Sequence, residues 1–435
     1  MTGRAIVPKA FDGRLLGRDF RRVRPPIPEF MLFGGMMVGK EDIPRLINRY
    51  GSIANFSHSA RIFLRYLLDR LRHRRGTRIM MGNALVARLY HSLRKTRAEI
   101  AFDARIRSLM RMDGRVVGAI VEMDDRRVRV RARRGVVLAT GGYGHDRSLR
   151  EEFMIHPTPP HSLASEHCRG DGVRMGRQAG ALVEPEKHGA GGFWTPVSLI
   201  RPVDGLPGGV FPHLALDRAK PGLIAINASG RRFVNEALSY HDFVEGMYRS
   251  HEVTPTMPAY LVCDAAFVTK YGLGAIHPGT RDLSRFERDG YIQTAETVEA
   301  LAAKIGVDAA GLADSVARNN RYAETGRDVD FGKGDVELNR FNGDPAHKPN
   351  PCLGPIARSP FVALAVWPAD IGVSTGLATN VDGQVIGDSG DPIPGLYACG
   401  NDMASIMAGG YPGPGTTLGP ALVFGYRVAR HAARQ

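Results

Sequence analysis

A chain of 435 residues holds enough core for two or three domains, and 43% hydrophobic, 8% aromatic and 23% charged residues exclude a disordered or fibrous protein. No apolar run reaches the roughly 18 residues of a membrane span, and the N-terminal MTGRAIVPKAFDGRLLGRDFRRVRPP lacks the apolar stretch of a secretory signal. The balance of 58 Lys and Arg against 44 Asp and Glu leaves +14, which raises a nucleic-acid reading that the placement of the charges has to answer.

Residues 1–40 are irregular and rich in Pro and Gly. Ser59–Arg75 reads as a helix with Ile62, Phe63, Tyr66, Leu67 and Leu71 on one face. Arg70, Arg72, Arg74 and Arg75 close it, where cations suit the helix dipole. A second helix follows Asn83 as its N-cap, with Leu85, Leu89 and Leu93 at helical spacing. Arg115–Met123 and Arg126–Ala132, joined through Asp124-Asp125, predict a hairpin. Arg127, Arg129, Arg131 and Arg133 alternate along it as a solvated face would. Neither basic cluster is interleaved with aromatic residues, so no nucleic-acid partner is expected. GVVLATGGYG, Gly135–Gly144, predicts a fully buried strand that runs into a Gly pair.

Residues 151–230 are loop-rich, with short strands, and end at IAINASGRRFVNE, Ile224–Glu236. PAYLVCD, Pro258–Asp264, predicts a strand followed by a helix that ends at KYG, Lys270–Gly272. Thr294 and Asp308 cap two further helices, the first running through Ala302 and the second stopping at Gly326. Strands resume at Phe361–Trp367, Gln384–Ile386 and Gly395–Asn401, and a Gly-led helix closes the chain. This pattern predicts an α/β domain over 1–230 and 394–435, interrupted by an inserted domain over 231–393. Cys168, Cys263, Cys352 and Cys399 lie far apart without CxxC spacing, which excludes a disulfide framework or zinc ribbon and fits the cytoplasm.

A dinucleotide fold needs G-x-G-x-x-G between a strand and a helix, so that a pyrophosphate can sit on the helix N-terminus. No such motif stands in that context. VVLATGG, Val136–Gly142, offers a strand tip without obstructing side chains, where backbone can pass close to a flat or phosphorylated ligand. A tight strand-to-loop turn in any α/β protein would read the same. The C-terminal segment is the stronger signal. A helix whose first turn is Gly415-Thr416-Thr417-Leu418 presents free N–H groups and a positive dipole end to a ligand that gains negative charge. Tyr411, four residues earlier, would share that polar corner; the alternative is a Gly/Pro loop before an ordinary helix.

VVLATGGYG, INASGRRFVNE, KYGLG and GLYACGNDMASIMAGGYPGPGTTLGPALVFGYRVA follow one another in the order seen in FAD-dependent 3-ketosteroid dehydrogenases. That group lies within the fumarate reductase/succinate dehydrogenase flavoprotein superfamily, and the chain resembles it from about residue 76 to the end. The resemblance implies FAD as cofactor, held by a Rossmann-like α/β domain that an inserted α+β catalytic domain interrupts. It also implies a steroid-like ketone as substrate and an external electron acceptor. The family's N-terminal strand–GxGxxG–helix has no counterpart, so the FAD-binding domain is N-terminally incomplete. The chain therefore resembles a truncated protein or one half of a split one, with a complementing N-terminal chain as its partner.

Removing two hydrogens beside a ketone requires a base for the α proton, donors for the developing enolate oxygen, and a hydride acceptor. The resemblance assigns the donors to the Tyr411 hydroxyl and the Gly415 N–H, and the base to Tyr271. An unperturbed Tyr has a pKa of ~10, so Tyr271 needs a cation or hydrogen bond nearby, and Lys270 and His277 are close in sequence. Flavin contacts carried over by motif are Ala139, Thr140, Gly141 and Gly142, then Gly400 and Asn401, then Thr416, Thr417 and Leu418. Ile106 is assigned to the adenine side. The family's further helper Tyr has no matching position.

Two other readings stay open. A fumarate reductase-like enzyme would clamp a small dicarboxylate with Arg, beside a His and a Gly pair. The corresponding stretch, DIGVSTGLATNVDGQVI, has neither His nor Gly pair, which leaves His241 and Arg232 as its candidates. The other reading is a truncated, catalytically inactive chain.

Overall fold

Two helices dominate the first of the two units into which the chain divides, Met1–Asp103 and Ala104–Gln435. The computed structural model describes residues 8–26, 31–39, 41–184, 190–202, 208–214 and 217–435. In the first unit, α1 (Ile53–Arg70) starts six residues earlier than the apolar spacing predicts, because the Ser52 side chain accepts the Asn55 N–H and caps it there. Only Ile62 and Tyr66 of its expected apolar face are buried, against Met36; Phe63, Leu67 and Leu71 are exposed. Helix α2 (Met81–Leu93) is not capped by Asn83. That side chain donates instead to the Arg24 carbonyl, and the buried face is Ala84 and Ala87 rather than the leucines. Small residues let this helix lie close to Phe11, Leu16 and Phe20.

The second unit begins with an antiparallel sheet of β1 (Arg105–Met112), β2 (Arg115–Met123) and β3 (Arg126–Arg131). The expected hairpin pairs Val121 with Val128, and every residue of β3 is exposed, so its arginines face water. Strand β4 (Val136–Leu138) follows; it is three residues long and not fully buried as expected, with Val137 44% exposed. Leu138 is buried in the core it shares with Val116, Leu396 and Phe424, and Val136 packs against that core partly buried.

The main sheet has the order β6-β5-β10-β8-β7, built from β5 (Gly192–Ile200), β6 (Gly209–Pro212), β7 (Ile224–Ile226), β8 (Ala259–Asp264) and β10 (Phe361–Val373). Strand β9 (Gln293–Ala295) and the short segment His161–Ser162 also pair with β10. The sheet thus draws strands from both sides of residue 230. Its core gathers Tyr143, Trp194, Phe243, Leu261 and Val366. Parallel pairing of β4 with β12 (Pro392–Ala398), and antiparallel pairing of β12 with β11 (Gln384–Ile386), make a smaller third sheet in which β4 stands at one end.

The helices that serve the site are α3 (Asp171–Gln178), α4 (Tyr240–His251), α5 (Ala265–Tyr271) and α8 (Leu418–Ala432). Between the last two, α6 (Val298–Ile305) is capped by Thr297, while Thr294 lies in β9 and its hydroxyl donates to Glu287 at 2.8 Å. Helix α7 (Ala309–Thr325) is capped by Asp308 and stops at Gly326 with φ +75°, as the sequence predicts. No helix among the described residues is long and apolar enough to cross a membrane, and none of the four cysteines is in a disulfide.

Candidate active site

The turn after β4 is tied down by a residue that the motif reading passed over. Asp402 is fully buried, and its two oxygens accept the Thr140 N–H, the Thr140 hydroxyl at 2.9 Å and the Gly142 N–H at 2.9 Å. Burial raises the Asp402 pKa, and those three donors oppose the rise. The first turn of α3 closes the knot: Gly172 donates to the Thr140 hydroxyl at 3.0 Å, and a Cβ on it would lie 2.3 Å from the Asp402 carboxylate. Gly142 has φ +82°, and a Cβ there would meet Val373 at 2.5 Å and the Asn401 carbonyl at 3.0 Å.

This places Thr140, Gly141, Gly142, Gly400 and Asn401 around one bend, roofed by the end of β10. A Cβ on Gly372 would stand 3.1 Å from the Asn401 amide and 3.3 Å from the Thr417 methyl, so Thr417 shares the cradle. Helix α8 opens at Leu418 rather than at Gly415, although the Gly415 carbonyl already accepts the Gly419 N–H at 2.8 Å. Gly415 has φ +101° and open space where a side chain would be, and no described residue accepts its N–H. Thr416 is buried and turned inward, its N–H and hydroxyl both on the Gly413 carbonyl. Ala139 and Leu418 are exposed, and Ile106 sits on β1 opposite Val121, 38% exposed.

Tyr411 joins the cradle through Phe193, which pairs with Gly372 across β5 and β10. Its ring is stacked on His241 at 5.1 Å with a 24° interplanar angle, and Phe193 tilts against it at 5.7 Å. The imidazole is itself oriented, its Nδ1 accepting the Trp194 N–H at 3.1 Å and its Nε2 lying 3.3 Å from Glu245. The Tyr411 hydroxyl meets the Tyr240 hydroxyl, and burial together with that contact pushes the Tyr411 pKa well above the ordinary phenol range. Tyr240 is a residue that sequence reasoning missed, although it lies four residues after INASGRRFVNE and next to His241.

Tyr271 ends α5 with contacts of its own: the Phe267 ring at 5.2 Å, Lys270 at 4.8 Å from the ring centre, and Asp344, to which the hydroxyl donates at 2.7 Å. Lys270 is the expected cation and does favour the phenolate. Burial and Asp344 outweigh it, so the pKa is pushed up to about 12 instead of down. The loop beyond Tyr271 is fixed by a closed circuit of buried groups. Asp217 accepts the Gly274 N–H at 3.1 Å and holds His213 at 2.6 Å; His213 reaches Ser198 at 2.9 Å, Ser198 reaches Tyr291 at 2.7 Å, and Tyr291 accepts the Ala275 N–H at 2.8 Å. This Ser-His-Asp order is no nucleophile array, because Ser198 is wholly buried and bonded on both sides.

A family model described as FAD binding domain matches residues 2–418. The chain belongs to the FAD binding domain family. Among the relatives of this FAD binding domain protein, 4-oxocyclohex-2-ene-1-carboxylate 5-dehydrogenase of Sinomonas cyclohexanicum is 36% identical over 100% of the chain and 73% of its own length. A 3-oxosteroid 1-dehydrogenase of Mycolicibacterium smegmatis is 33% identical over 98% of the chain and 75% of its own length. The crystal structure of 3-ketosteroid delta1-dehydrogenase from Sterolibacterium denitrificans in complex with 1,4-androstadiene-3,17-dione superposes with a TM-score of 0.90 at 35% identity, covering 100% of this chain and 78% of that one. The protein is thus an FAD-dependent oxidoreductase by family. The residues present suit the flavin end of the cofactor: glycines that a Cβ would jam at Gly142 and Gly372, an Asn401 amide beside them, and an open Gly415 N–H at the positive end of α8.

Proposed function

We propose that this FAD binding domain protein removes two hydrogens, α and β to the ketone of a steroid-like substrate. The observation that carries the reading is Tyr411, a hydroxyl-bearing ring clamped between Phe193 and His241 beside the turn that offers the Gly415 N–H. Bound FAD, held by Thr140, Gly141, Gly142, Gly400, Asn401 and Thr417, would supply the hydride acceptor, and an external acceptor would re-oxidise it. Tyr411 and Gly415 donate to the ketone oxygen, which acidifies the α carbon and stabilises the enolate as it forms. Tyr271 takes the α proton.

A base whose pKa is pushed up to about 12 is mostly protonated near neutrality, so kcat/KM should climb with pH through the alkaline range. The sign for Asp344 follows directly. Its carboxylate favours the protonated phenol, so Asp344→Asn lowers the Tyr271 pKa and moves the rising limb to lower pH. A pH–rate profile that drops without moving would remove Tyr271 from the role of base.

The groups around Tyr411 are aromatic, which supports a hydrophobic ketone. A dicarboxylate would need a free Arg, and the candidates are committed elsewhere. Arg232 is bound to Glu236 and Asp328, each at 2.8 Å, and buried Arg218 donates to the carbonyls of His213 at 2.9 Å and Glu236 at 2.7 Å. The adenosine side of FAD calls for a strand–GxGxxG–helix, which the sequence lacks. The end position of β4 in its sheet supports a complementing segment, from outside these residues, as the partner that supplies it. The cysteines, which form no disulfide, support a cytoplasmic site of action.

The test is anaerobic mixing of the FAD-loaded protein with a 3-oxo-4-ene steroid, with 4-oxocyclohexanecarboxylate and, after reduction, with fumarate. The steroid is expected to bleach the visible flavin band. Bleaching by the small ketone alone would replace the steroid by an alicyclic keto acid, and re-oxidation by fumarate alone would restore the dicarboxylate reading. Co-expression with a strand–GxGxxG–helix segment should raise the flavin content; an unchanged content would remove that partner.

A further inference from the structure

Helix α1 is turned with its apolar side to water. Ile53, Phe56, Leu64, Leu67, Leu68 and Leu71 recur at helical spacing along one stripe, and all are exposed, Ile53 to 89% and Leu71 to 80%. The stripe runs about 27 Å at the usual helical rise. The buried side carries polar groups as well as Ile62 and Tyr66: Ser59, and Asp69, which accepts the Thr77 N–H at 2.7 Å and the Thr77 hydroxyl at 2.8 Å. Those bonds fix the rotation of the helix about its own axis, so the leucines do not roll inward. Phe33 extends the stripe. It stands at φ +51° in the turn between Met31–Leu32 and Met36–Met37, and its carbonyl accepts the Tyr66 hydroxyl at 2.5 Å. A bulky residue in the left-handed region costs energy, and here that conformation holds an exposed ring outward, 5.3 Å from the ring of Phe63.

A contiguous exposed apolar patch marks an interaction surface, and the charges around it select the occupant. From Ile43 to Arg75 the chain carries eight arginines and one acidic residue, Asp69, which is buried. By helical rotation Arg61 falls on one flank of the stripe and Arg70 on the other. Arg72 and Arg74 follow at its end, and all four are exposed. A second copy of this chain would bring like charge against like charge. The stripe is also a convex ridge, which suits a surface that yields to it better than a partner with a rigid face.

We propose that α1 is an interfacial helix that docks the first unit on an anionic lipid surface, with the stripe among the acyl chains and the arginines at the phosphates. The inference goes beyond the dehydrogenase reading and does not rest on it.

The experiment sediments the full FAD-loaded chain with phosphatidylcholine vesicles, with and without phosphatidylglycerol, at low and high salt. Binding to the anionic vesicles is expected, weaker by about 10-fold on neutral ones and weakened likewise by high salt. Leu64→Glu together with Leu68→Glu should lower partitioning by about 100-fold, the loss of two leucines from an apolar phase. Arg61→Gln together with Arg70→Gln should lower it by about 10-fold on anionic vesicles and leave neutral ones unaffected. All four side chains are exposed, so melting temperature and flavin content should keep their wild-type values. Wild-type protein that stays in the supernatant with anionic vesicles overturns the proposal, and so does a glutamate pair that sediments like wild type. A dimer that the glutamate pair dissolves, in protein that ignores vesicles, would give the face to a second copy. Vesicle binding that disappears on co-expression with the strand–GxGxxG–helix segment would give it to that segment, and either result overturns the lipid surface.

Discussion

Tyr411→Phe is expected to slow steroid dehydrogenation by about 10²–10³-fold while leaving the flavin-to-protein ratio unchanged. The substitution keeps the ring, and the contacts that hold it, to His241 at 5.1 Å and Phe193 at 5.7 Å, are ring contacts. The cradle lies on the other side of Phe193 and gains or loses nothing. What disappears is one of two donors to an oxygen whose negative charge grows during the reaction. A donor of that kind binds the ground-state ketone weakly and the enolate strongly, so the loss falls on kcat rather than on KM. Stopped-flow bleaching of the flavin measures the first quantity and FAD released by acid measures the ratio. An unaltered bleaching rate would take Tyr411 out of the oxyanion pair and leave the Gly415 N–H alone.

Asp402→Ala should be worse for the protein than for the reaction. It is expected to strip the flavin and to lower unfolding stability by about 3–5 kcal/mol, because three donors, one buried and two partly buried, lose their acceptor at once. Those donors, the Thr140 N–H, the Thr140 hydroxyl and the Gly142 N–H, define the bend on which the cradle depends. Asp402→Asn should fall between the two, since its one carbonyl oxygen can still accept while its amide faces a donor. Urea unfolding followed beside FAD release gives both numbers. If Asp402→Ala retains stoichiometric flavin and the wild-type midpoint, the bend is not the platform described.

What could be seen in the sequence followed from how local the cause was. The Asp308 cap and its Gly326 stop lie on one helix, and the hairpin across Asp124-Asp125 joins adjacent strands, so side-chain chemistry at short range decides them. Tyr411 and Gly415 could be paired as candidates from the sequence because one loop carries both. Asn83 failed as a cap because a carbonyl 59 residues away, that of Arg24, competes for its side chain. Thr294 and Thr297 are both sound caps by type, and pairing of β9 with β10 removes the first from contention. Tyr240 lies 171 residues before Tyr411, and no spacing could join them. Asp402 did leave a signal: an acidic residue next to Asn401, at the end of a buried strand, has to find donors, and the bare N–H groups of Thr140–Gly142 were the unsatisfied set. The expected cation, Lys270, does stand at the Tyr271 ring, but Asp344, 73 residues on, takes both the Tyr271 hydroxyl and Lys270, and no local pattern could show that.

Strand β10 spans roughly 40 Å at the usual rise and serves both halves of the chemistry. At Val362–Val366 it is a rung of the main sheet, pairing with Cys263 through Ala259, and at Gly372 it becomes the ceiling against Asn401 and Thr417. Between them the ladder breaks step: Trp194 faces Asp370 while Phe193 faces Gly372, which leaves Ile371 as an extra residue on a bulge. The strand is thus a measured strut whose frame cannot be shifted. Sliding it by one position would thrust Ile371 or Val373 against Asn401 and Thr417, and sliding it by two would bring Asp370 or Ser374 there. Insertions or deletions between Val366 and Gly372 would carry Gly372 away from Asn401 and Thr417 while every residue of the cradle stayed intact, because the gap between the main sheet and that bend is set by the length of one strand.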